Sequence, residues 1–256
     1  KTDLYIVSRY SGVVMICVGL MCLFPLLIDL IYFEFNYACF IIPGVFSVIL
    51  GYICMKALDK YSNSKMRLKH GMMISSIAWM WASVIGGVVI SLATGTDFLN
   101  GIFESTSALT GTGITMFDNV EILPHSILYF RAFEQWVGGL GVVVMMIGIL
   151  TRPGTASAKL YQSEAREERL KPSVKTTLKK TIEIYLIYTI IGIILYLLAG
   201  MPAFDSVCTT FCMIATGGMS IKNANIGYYH NDLIYLISII LMVLGATSFL
   251  AHYKII

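Results

Sequence analysis

Charged side chains are scarce in this sequence. They make up 13% of its 256 residues, whereas a typical soluble domain carries about 25%. Apolar residues account for 57% of the chain. This balance excludes an ordinary soluble domain and predicts an integral protein of the cell membrane.

The sequence also lacks the patterns of a disulfide framework, a metal centre or a hydrolytic site. Cys208 and Cys212 lie one helical turn apart, but no histidine or further cysteine is near them, so we interpret them as small buried side chains. Gly138-Gly139-x-Gly141 lies inside an apolar run with no strand before it, which argues against a nucleotide-binding fingerprint. No nucleophile and base share a depth in the membrane, so an enzyme is the least favoured class.

Six apolar segments are long enough to cross a bilayer as helices. They are residues 12–31, 38–55, 72–93, 126–150, 182–198 and 233–251. The predicted fold is therefore an all-α polytopic membrane protein with six transmembrane helices and two re-entrant pore loops. We divide it into an N-terminal helix pair (1–58), a first span-loop-span repeat (71–150), a linker (151–181) and a second repeat (182–256).

The charges of the connections predict which side of the membrane each one faces. Residues 56–70 carry five Lys or Arg and one Asp, and residues 151–181 carry eight Lys or Arg and three Glu. Short loops rich in Lys and Arg stay in the cytoplasm. Residues 29–37, 117–125 and 221–232 carry little positive charge and are expected outside. Both chain ends are then cytoplasmic, and the linker is either a docking surface for a cytoplasmic partner or a plain solvated connection.

Two short segments between spans are the most informative part of the chain. The first runs from Asp97 to Met116, begins with a capping-type Asp, is too short to cross a core of about 30 Å as a helix, and ends in Thr110-Gly111-Thr112-Gly113. The second begins at Phe204 and ends in Ala215-Thr216-Gly217-Gly218. Aligning Thr112-Gly113 with Thr216-Gly217 indicates a repeat of span, half-helix, carbonyl-lined turn and span.

Such loops suit a cation without its water shell. Rings of backbone carbonyls replace hydration oxygens, and the C-terminal end of a half-helix carries roughly half a negative charge. Gly113 and Gly217 are expected to let adjacent carbonyls alternate in direction. The hydroxyls of Thr110, Thr112 and Thr216 either supply further oxygens or brace the loops. An ordinary turn between helices is the simpler alternative for one such loop, but two in matching contexts favour a pore.

Arg131 and Glu134 lie one turn apart in the fourth span, where ionisable groups are costly unless they face a partner or a cavity. We expect a structural clamp behind the loops, in which they pair with each other or with Glu104, Asp118 or Glu121. A direct role in an ion path is the alternative.

The motifs in these segments resemble those of one transporter family. They are Phe103-Glu-Ser-Thr-Ser-Ala-Leu-Thr-Gly-Thr-Gly113, Gln135-Trp-Val-Gly-Gly-Leu-Gly141, Phe204-Asp-Ser206 and Ile214-Ala-Thr-Gly-Gly-Met-Ser220. Over nearly the whole chain they look like the membrane subunit of Trk-type potassium uptake systems, the TrkH family of the Trk/Ktr/HKT superfamily.

The resemblance implies a potassium-selective pathway of four span-loop-span repeats around a pseudo-fourfold axis. It implies Gly113 and Gly217 as filter glycines, and carbonyls of Gly111, Thr112, Ala215 and Thr216 as potassium ligands. It further implies a homodimer in membrane lipid with a cytoplasmic nucleotide-binding regulatory ring. Potassium is then the transported ion, and neither an organic cofactor nor a nucleic-acid partner is expected.

The chain departs from this family in holding two loops where the family uses four. Its abrupt ends favour the N-terminal half of a longer protein over two copies that close a ring. A sodium-coupled secondary transporter with re-entrant hairpins is the main rival, but it predicts inverted repeats. A non-conducting structural or assembly subunit with vestigial loops is the third possibility.

Overall fold

The computed structural model describes residues 2–61, 68–150 and 174–247. Within these ranges the chain is helical and contains no strand. The helices are α1 Thr2–Met21, α2 Leu26–Tyr32, α3 Tyr37–Ala57, α4 Leu68–Thr94, α5 Phe98–Leu109, α6 His125–Leu150, α7 Val174–Leu198, α8 Ala203–Ile214 and α9 Asp232–Ala246. Most of the predicted linker, residues 151–173, lies outside the described residues.

Four stretches in the described part of the chain are long and apolar enough to cross a membrane. They are Asp3–Tyr32, Tyr37–Ala57, Lys69–Thr94 and Lys179–Leu198. The fourth predicted span corresponds to the 26-residue helix α6, and the sixth corresponds to α9, a 15-residue helix that ends at Ala246 rather than at the predicted residue 251. The prediction of a helical membrane protein is therefore confirmed.

The first predicted span, residues 12–31, began too late and missed a break in the helix. The chain is helical from Thr2 because polar groups near its start find partners, including Arg9, whose Nη2 lies 3.1 Å from an oxygen of Asp59. Before Pro25 the helix gives way to tight turns, with Phe24 N–H donating to Met21 O at 3.3 Å. Proline has no N–H to continue the helical ladder, so α2 begins afresh after it.

The start of the fifth span was also predicted too late. Helix α7 begins at Val174, eight positions before the expected residue 182. Charged residues occupy this extension, and hydropathy does not detect such a polar end. One of its stabilising contacts is the ion pair between Lys180 and Glu183, one turn apart at 2.9 Å.

Glycine pairs hold α1 and α3 at very short range. A Cβ on Gly51 would lie 2.5 Å from Gly12 O, and a Cβ on Gly19 would lie 2.5 Å from Gly44 O. Within each helix the two glycines are two turns apart, so both pairs lie on one seam of an antiparallel contact. Close backbone approach through small residues is a common way to pack helices in membranes.

We expect Gly51→Ala to destabilise the protein by about 1–3 kcal/mol, because the new methyl group meets backbone oxygen that has little freedom to move. Thermal unfolding of the purified protein in detergent measures this. Gly141→Ala is the matched control, since a Cβ at this helical glycine has no neighbour within 4 Å among the described residues. Equal stability of the two variants would contradict the seam.

The three connections predicted to lie outside meet at one end of the bundle. Glu34, between α2 and α3, accepts hydrogen bonds from Ser126 N–H at 2.9 Å and Ser126 Oγ at 2.7 Å at the start of α6. In the other two connections, Asn223 N–H donates to Glu121 at 3.0 Å. The contact between Asp3 and His70, 2.8 Å, lies at the opposite end. This grouping matches the predicted alternation of spans.

Glu34 also makes the stability of this end dependent on pH. Partial burial would raise the pKa of its carboxyl, but hydrogen bonds from Ser126 and His125 outweigh burial and lower the pKa below its ordinary value of 4.5. A lowered pKa in the folded state stabilises the protein above the unfolded-state value, and this contribution is lost as pH falls through the folded-state pKa.

Glu34→Gln is therefore expected to cost about 1–3 kcal/mol at pH 7, the usual range for hydrogen bonds to a charged group. The gap between wild type and variant should shrink as the pH is lowered below 4.5. Thermal unfolding of both proteins across this range checks the prediction. A gap that stays constant at acidic pH would show that the charge of Glu34 is not what stabilises this end.

Candidate functional site

Two helices too short to span the membrane position the candidate site, and contacts with neighbouring residues hold each of them in place. Helices α5 and α8 contain 12 residues each, about 18 Å, which is too short to span the membrane core. Asp97 caps α5 by accepting a hydrogen bond from Leu99 N–H at 3.0 Å. Each short helix packs against a glycine of the preceding span, Gly87 beside Ile102 and Gly192 beside Thr210.

The two loops after these helices share one backbone conformation. Gly111 and Gly113 have φ of 73° and 74°, and Thr216 and Gly218 have φ of 54° and 119°. The loop hydrogen bonds also correspond, with Thr112 N–H donating to Ser107 O at 3.0 Å and Gly217 N–H donating to Cys212 O at 3.1 Å. The structural counterparts of Thr112-Gly113 are therefore Gly217-Gly218.

The sequence alignment of Thr112-Gly113 with Thr216-Gly217 was thus wrong by one residue. It failed because Thr216, a non-glycine residue, takes the left-handed conformation that the alignment reserved for glycine. Counting from the helix starts would have given the right register. The interval along the chain from the first N-cap, Asp97, to the second, Pro202, equals the interval from Gly113 to Gly218. Gly113 and Gly218 therefore lie equally far from the starts of their helices.

The structure brings the eight candidate residues of these loops together. A Cβ on Gly113 would lie 2.8 Å from Gly217 O and 3.0 Å from the Cα of Gly218. The side of the second loop formed by Thr216 and Gly218 opens into a groove against α9. Thr110 uses its hydroxyl as a brace, donating to Thr106 O at 2.8 Å and lying 2.9 Å from the hydroxyl of Thr112.

Glycines also allow α6 and α9 to pack closely against the C-terminal ends of α5 and α8. A Cβ on Gly138 would lie 1.9 Å from Leu109 O, and a Cβ on Gly245 would lie 2.2 Å from Ile214 O. Leu109 and Ile214 are the last residues of the two short helices. These glycines allow close helix packing, and both negative helix ends lie beside the loops.

Arg131 links the two loops from behind. This side chain, 1% exposed, donates from Nε to Glu104 at 2.6 Å. It also donates from Nη2 to Thr115 Oγ1 and from Nη1 to Ser220 O, both at 3.2 Å. Thr115 and Ser220 occupy corresponding positions, each two residues after Gly113 or Gly218. Of the partners that the sequence left open, the structure selects Glu104.

Glu134 has a different position from the one predicted. Its Oε1 accepts a hydrogen bond from Ser105 Oγ at 2.7 Å and faces Gly86 of α4. Its Oε2 has no hydrogen-bond partner among the described residues, and Arg131 is engaged by Glu104. Of the alternatives left open by the sequence, a pair between Arg131 and Glu134 is therefore not the one formed. Burial of an unpaired carboxylate is costly, which favours the neutral acid at this position.

Sequence analysis missed the contact of Gln135 with the second loop. This fully buried side chain accepts a hydrogen bond from Met219 N–H at 3.0 Å. The available signal was its spacing of one turn from Arg131 and Gly138-Gly139 on α6. Among the described residues no group of His, Cys, Asp and Glu is arranged to hold a metal, and Cys208 and Cys212 are buried.

Comparison with known proteins gives a consistent result. The TrkH family model, described as a cation transport protein, matches residues 40–256. An uncharacterized cation transporter of Methanocaldococcus jannaschii is 40% identical over 257 residues, covering 100% of this chain and 53% of the relative. The Trk system potassium uptake protein TrkH of Halomonas elongata is 30% identical over 258 residues, covering 98% and 53%.

A solved structure is similar along the same length. The crystal structure of the potassium transporter TrkH from Vibrio parahaemolyticus matches with a TM-score of 0.85 and 26% sequence identity, and the match covers 98% of this chain and 51% of that one. The chain spans about half the length of the curated relatives it matches.

Proposed function

Because the chain belongs to the TrkH family of cation transport proteins, we propose that it contributes to potassium uptake across the cell membrane. The family is one of transporters, not enzymes. In this proposal potassium is the transported substrate, and it passes a selectivity filter of backbone carbonyls. Two re-entrant loops supply them, with Thr110–Gly113 in the first and Ala215–Gly218 in the second.

One observation carries the proposal: the two glycine-rich loops share a conformation and touch. A dehydrated potassium ion needs several oxygens at once, and adjacent carbonyls from two loops supply part of such a shell. The ligands we propose are the carbonyls of Gly111, Thr112, Ala215 and Thr216. Gly217 joins them because, in the corrected register, Gly111 and Thr112 correspond to Thr216 and Gly217. The ends of α5 and α8 add a negative potential that favours a cation and disfavours an anion.

The open groove beside Thr216 and Gly218 supports a pathway that further loops complete. We favour third and fourth repeats in a longer chain over a ring closed by a second copy. The assembly we propose is a homodimer in lipid, with both ends of this segment in the cytoplasm and a nucleotide-binding regulatory ring docked there. The mass of the native subunit separates a longer chain from a ring closed by two copies. A subunit near 28.4 kDa would exclude the longer chain.

The experiment that tests the function is rubidium and potassium uptake by the full-length protein in a strain lacking its own potassium uptake. We expect growth at low potassium, together with rubidium uptake that potassium inhibits more strongly than sodium. Uptake no faster than in the empty strain would contradict the proposal. In this proposal α5 and α8 enter from the same side of the membrane, whereas a secondary transporter with inverted repeats predicts opposite directions.

A further inference from the structure

Gly217 has no conformational need to be glycine. Positive φ values in the second loop belong to its neighbours, Thr216 and Gly218, and Gly217 itself lies outside that region. The reason for a glycine at this position is space. A Cβ on Gly217 would lie 1.9 Å from Cδ, 2.2 Å from Nε2 and 2.4 Å from Oε1 of Gln135. The side-chain amide of Gln135 thus occupies the place where any larger residue would put its first carbon.

The same amide holds the loop on the far side of Gly218. Gln135 Oε1 accepts the hydrogen bond from Met219 N–H at 3.0 Å, so a single side chain fixes the residues on both sides of Gly218. Gln135 is itself held in place, because the next residue, Trp136, donates from Nε1 to Thr189 at 3.0 Å. The carbonyl of Trp136 also accepts a hydrogen bond from the Tyr185 hydroxyl at 3.0 Å.

The first loop is braced in another way. Ser107 Oγ donates to Ile114 O, the position that corresponds to Met219. The residue that corresponds to Ser107 in the second repeat is Cys212, a thiol and therefore a weak donor. The second loop thus has no hydroxyl at the position of Ser107. Its residue Met219, the counterpart of Ile114, is instead hydrogen-bonded to Gln135 of α6.

From these contacts we infer that Gln135 is a positioning residue for ion selectivity: its amide fixes the second loop so that the carbonyls around Gly217 keep the spacing a potassium ion requires. The inference rests on the proposed potassium pathway and adds a specific determinant to it. Selectivity depends on the number and placement of carbonyls, so loosening one loop should change the preference between ions before it abolishes passage.

The test compares three variants of the full-length protein in proteoliposomes, with rubidium uptake measured against competing potassium or sodium. Gln135→Leu fills similar space without a hydrogen bond, and its preference for potassium over sodium should fall about tenfold. Gln135→Glu, buried as the neutral acid, keeps an acceptor for Met219 N–H and should stay within about threefold of wild type. Gln135→Asn, which is one methylene too short to reach, tests the same point if Gln135→Leu does not fold.

A compensating pair gives a second readout. Gly217→Ala should reduce uptake strongly, and Gly217→Ala with Gln135→Ala should recover part of it because the obstructing amide is gone. Unchanged selectivity in Gln135→Leu or Gln135→Asn, or a double variant no better than Gly217→Ala, would overturn the inference. These outcomes leave the proposed function standing, whereas absent potassium uptake by the wild-type protein refutes that function itself.

Discussion

Gly113→Ala is expected to reduce potassium uptake about a hundredfold, the order of effect that a misplacement of about 1 Å has at a functional site. Two independent causes act at this position. The backbone has φ of 74°, where an L side chain is strained, and a new methyl group would lie 2.8 Å from Gly217 O in the adjoining loop. The loops cannot then keep their present separation.

The measurement is rubidium uptake at matched amounts of membrane-inserted protein. Gly141→Ala is the control, because this glycine of α6 has no neighbour within 4 Å among the described residues and no positive φ. It should transport normally. Gly218 has φ of 119° and more space than Gly113, with the nearest atom at 3.9 Å, so Gly218→Ala tests backbone strain without a clash. A Gly113→Ala protein with wild-type uptake would refute a pathway at the loops.

Much of this architecture was predictable because it follows from local composition. Long apolar runs define the spans, and Asp97 with the glycines after Leu109 defines the first half-helix. Where hydropathy alone set a limit, the prediction erred, as at Thr2 and Val174. Polar residues extend both of those helices through ion pairs, Arg9 with the distant Asp59 and Lys180 with Glu183 one turn along, and a hydropathy window contains no such information.

The candidate site was also predictable only where local sequence determines it. Which residues form the loops was clear from sequence, since glycine and threonine cluster there after a helix too short to span. The residue-by-residue alignment of the two loops was not clear from sequence, because Thr216 adopts a glycine-like conformation that only its packing enforces. The contact of Gln135 with Gly217 and the choice of Glu104 over Glu134 by Arg131 depend on residues far apart in the chain. Such contacts appear only when α6 is seated between α5 and α8.

Arg131→Gln should be the most destabilising single change in this region, at about 3–5 kcal/mol. The cost arises because Glu104, 0% exposed, would lose its only cation among the described residues, while Thr115 and Ser220 would lose the donor that joins the loops. We expect a lower unfolding temperature and a lower yield of folded protein.

Two further variants separate charge from packing. Glu134→Gln is the matched control: it replaces a fully buried carboxyl of the same helix that does not pair with Arg131 and is favoured as the neutral acid, so it should change stability by less than about 1 kcal/mol. Combining Arg131→Gln with Glu104→Gln removes the stranded charge and should recover part of the loss, giving a coupling of about 1–3 kcal/mol in a double-mutant cycle. Altered ion preference in an Arg131→Gln protein of normal stability would instead place Arg131 in the ion path.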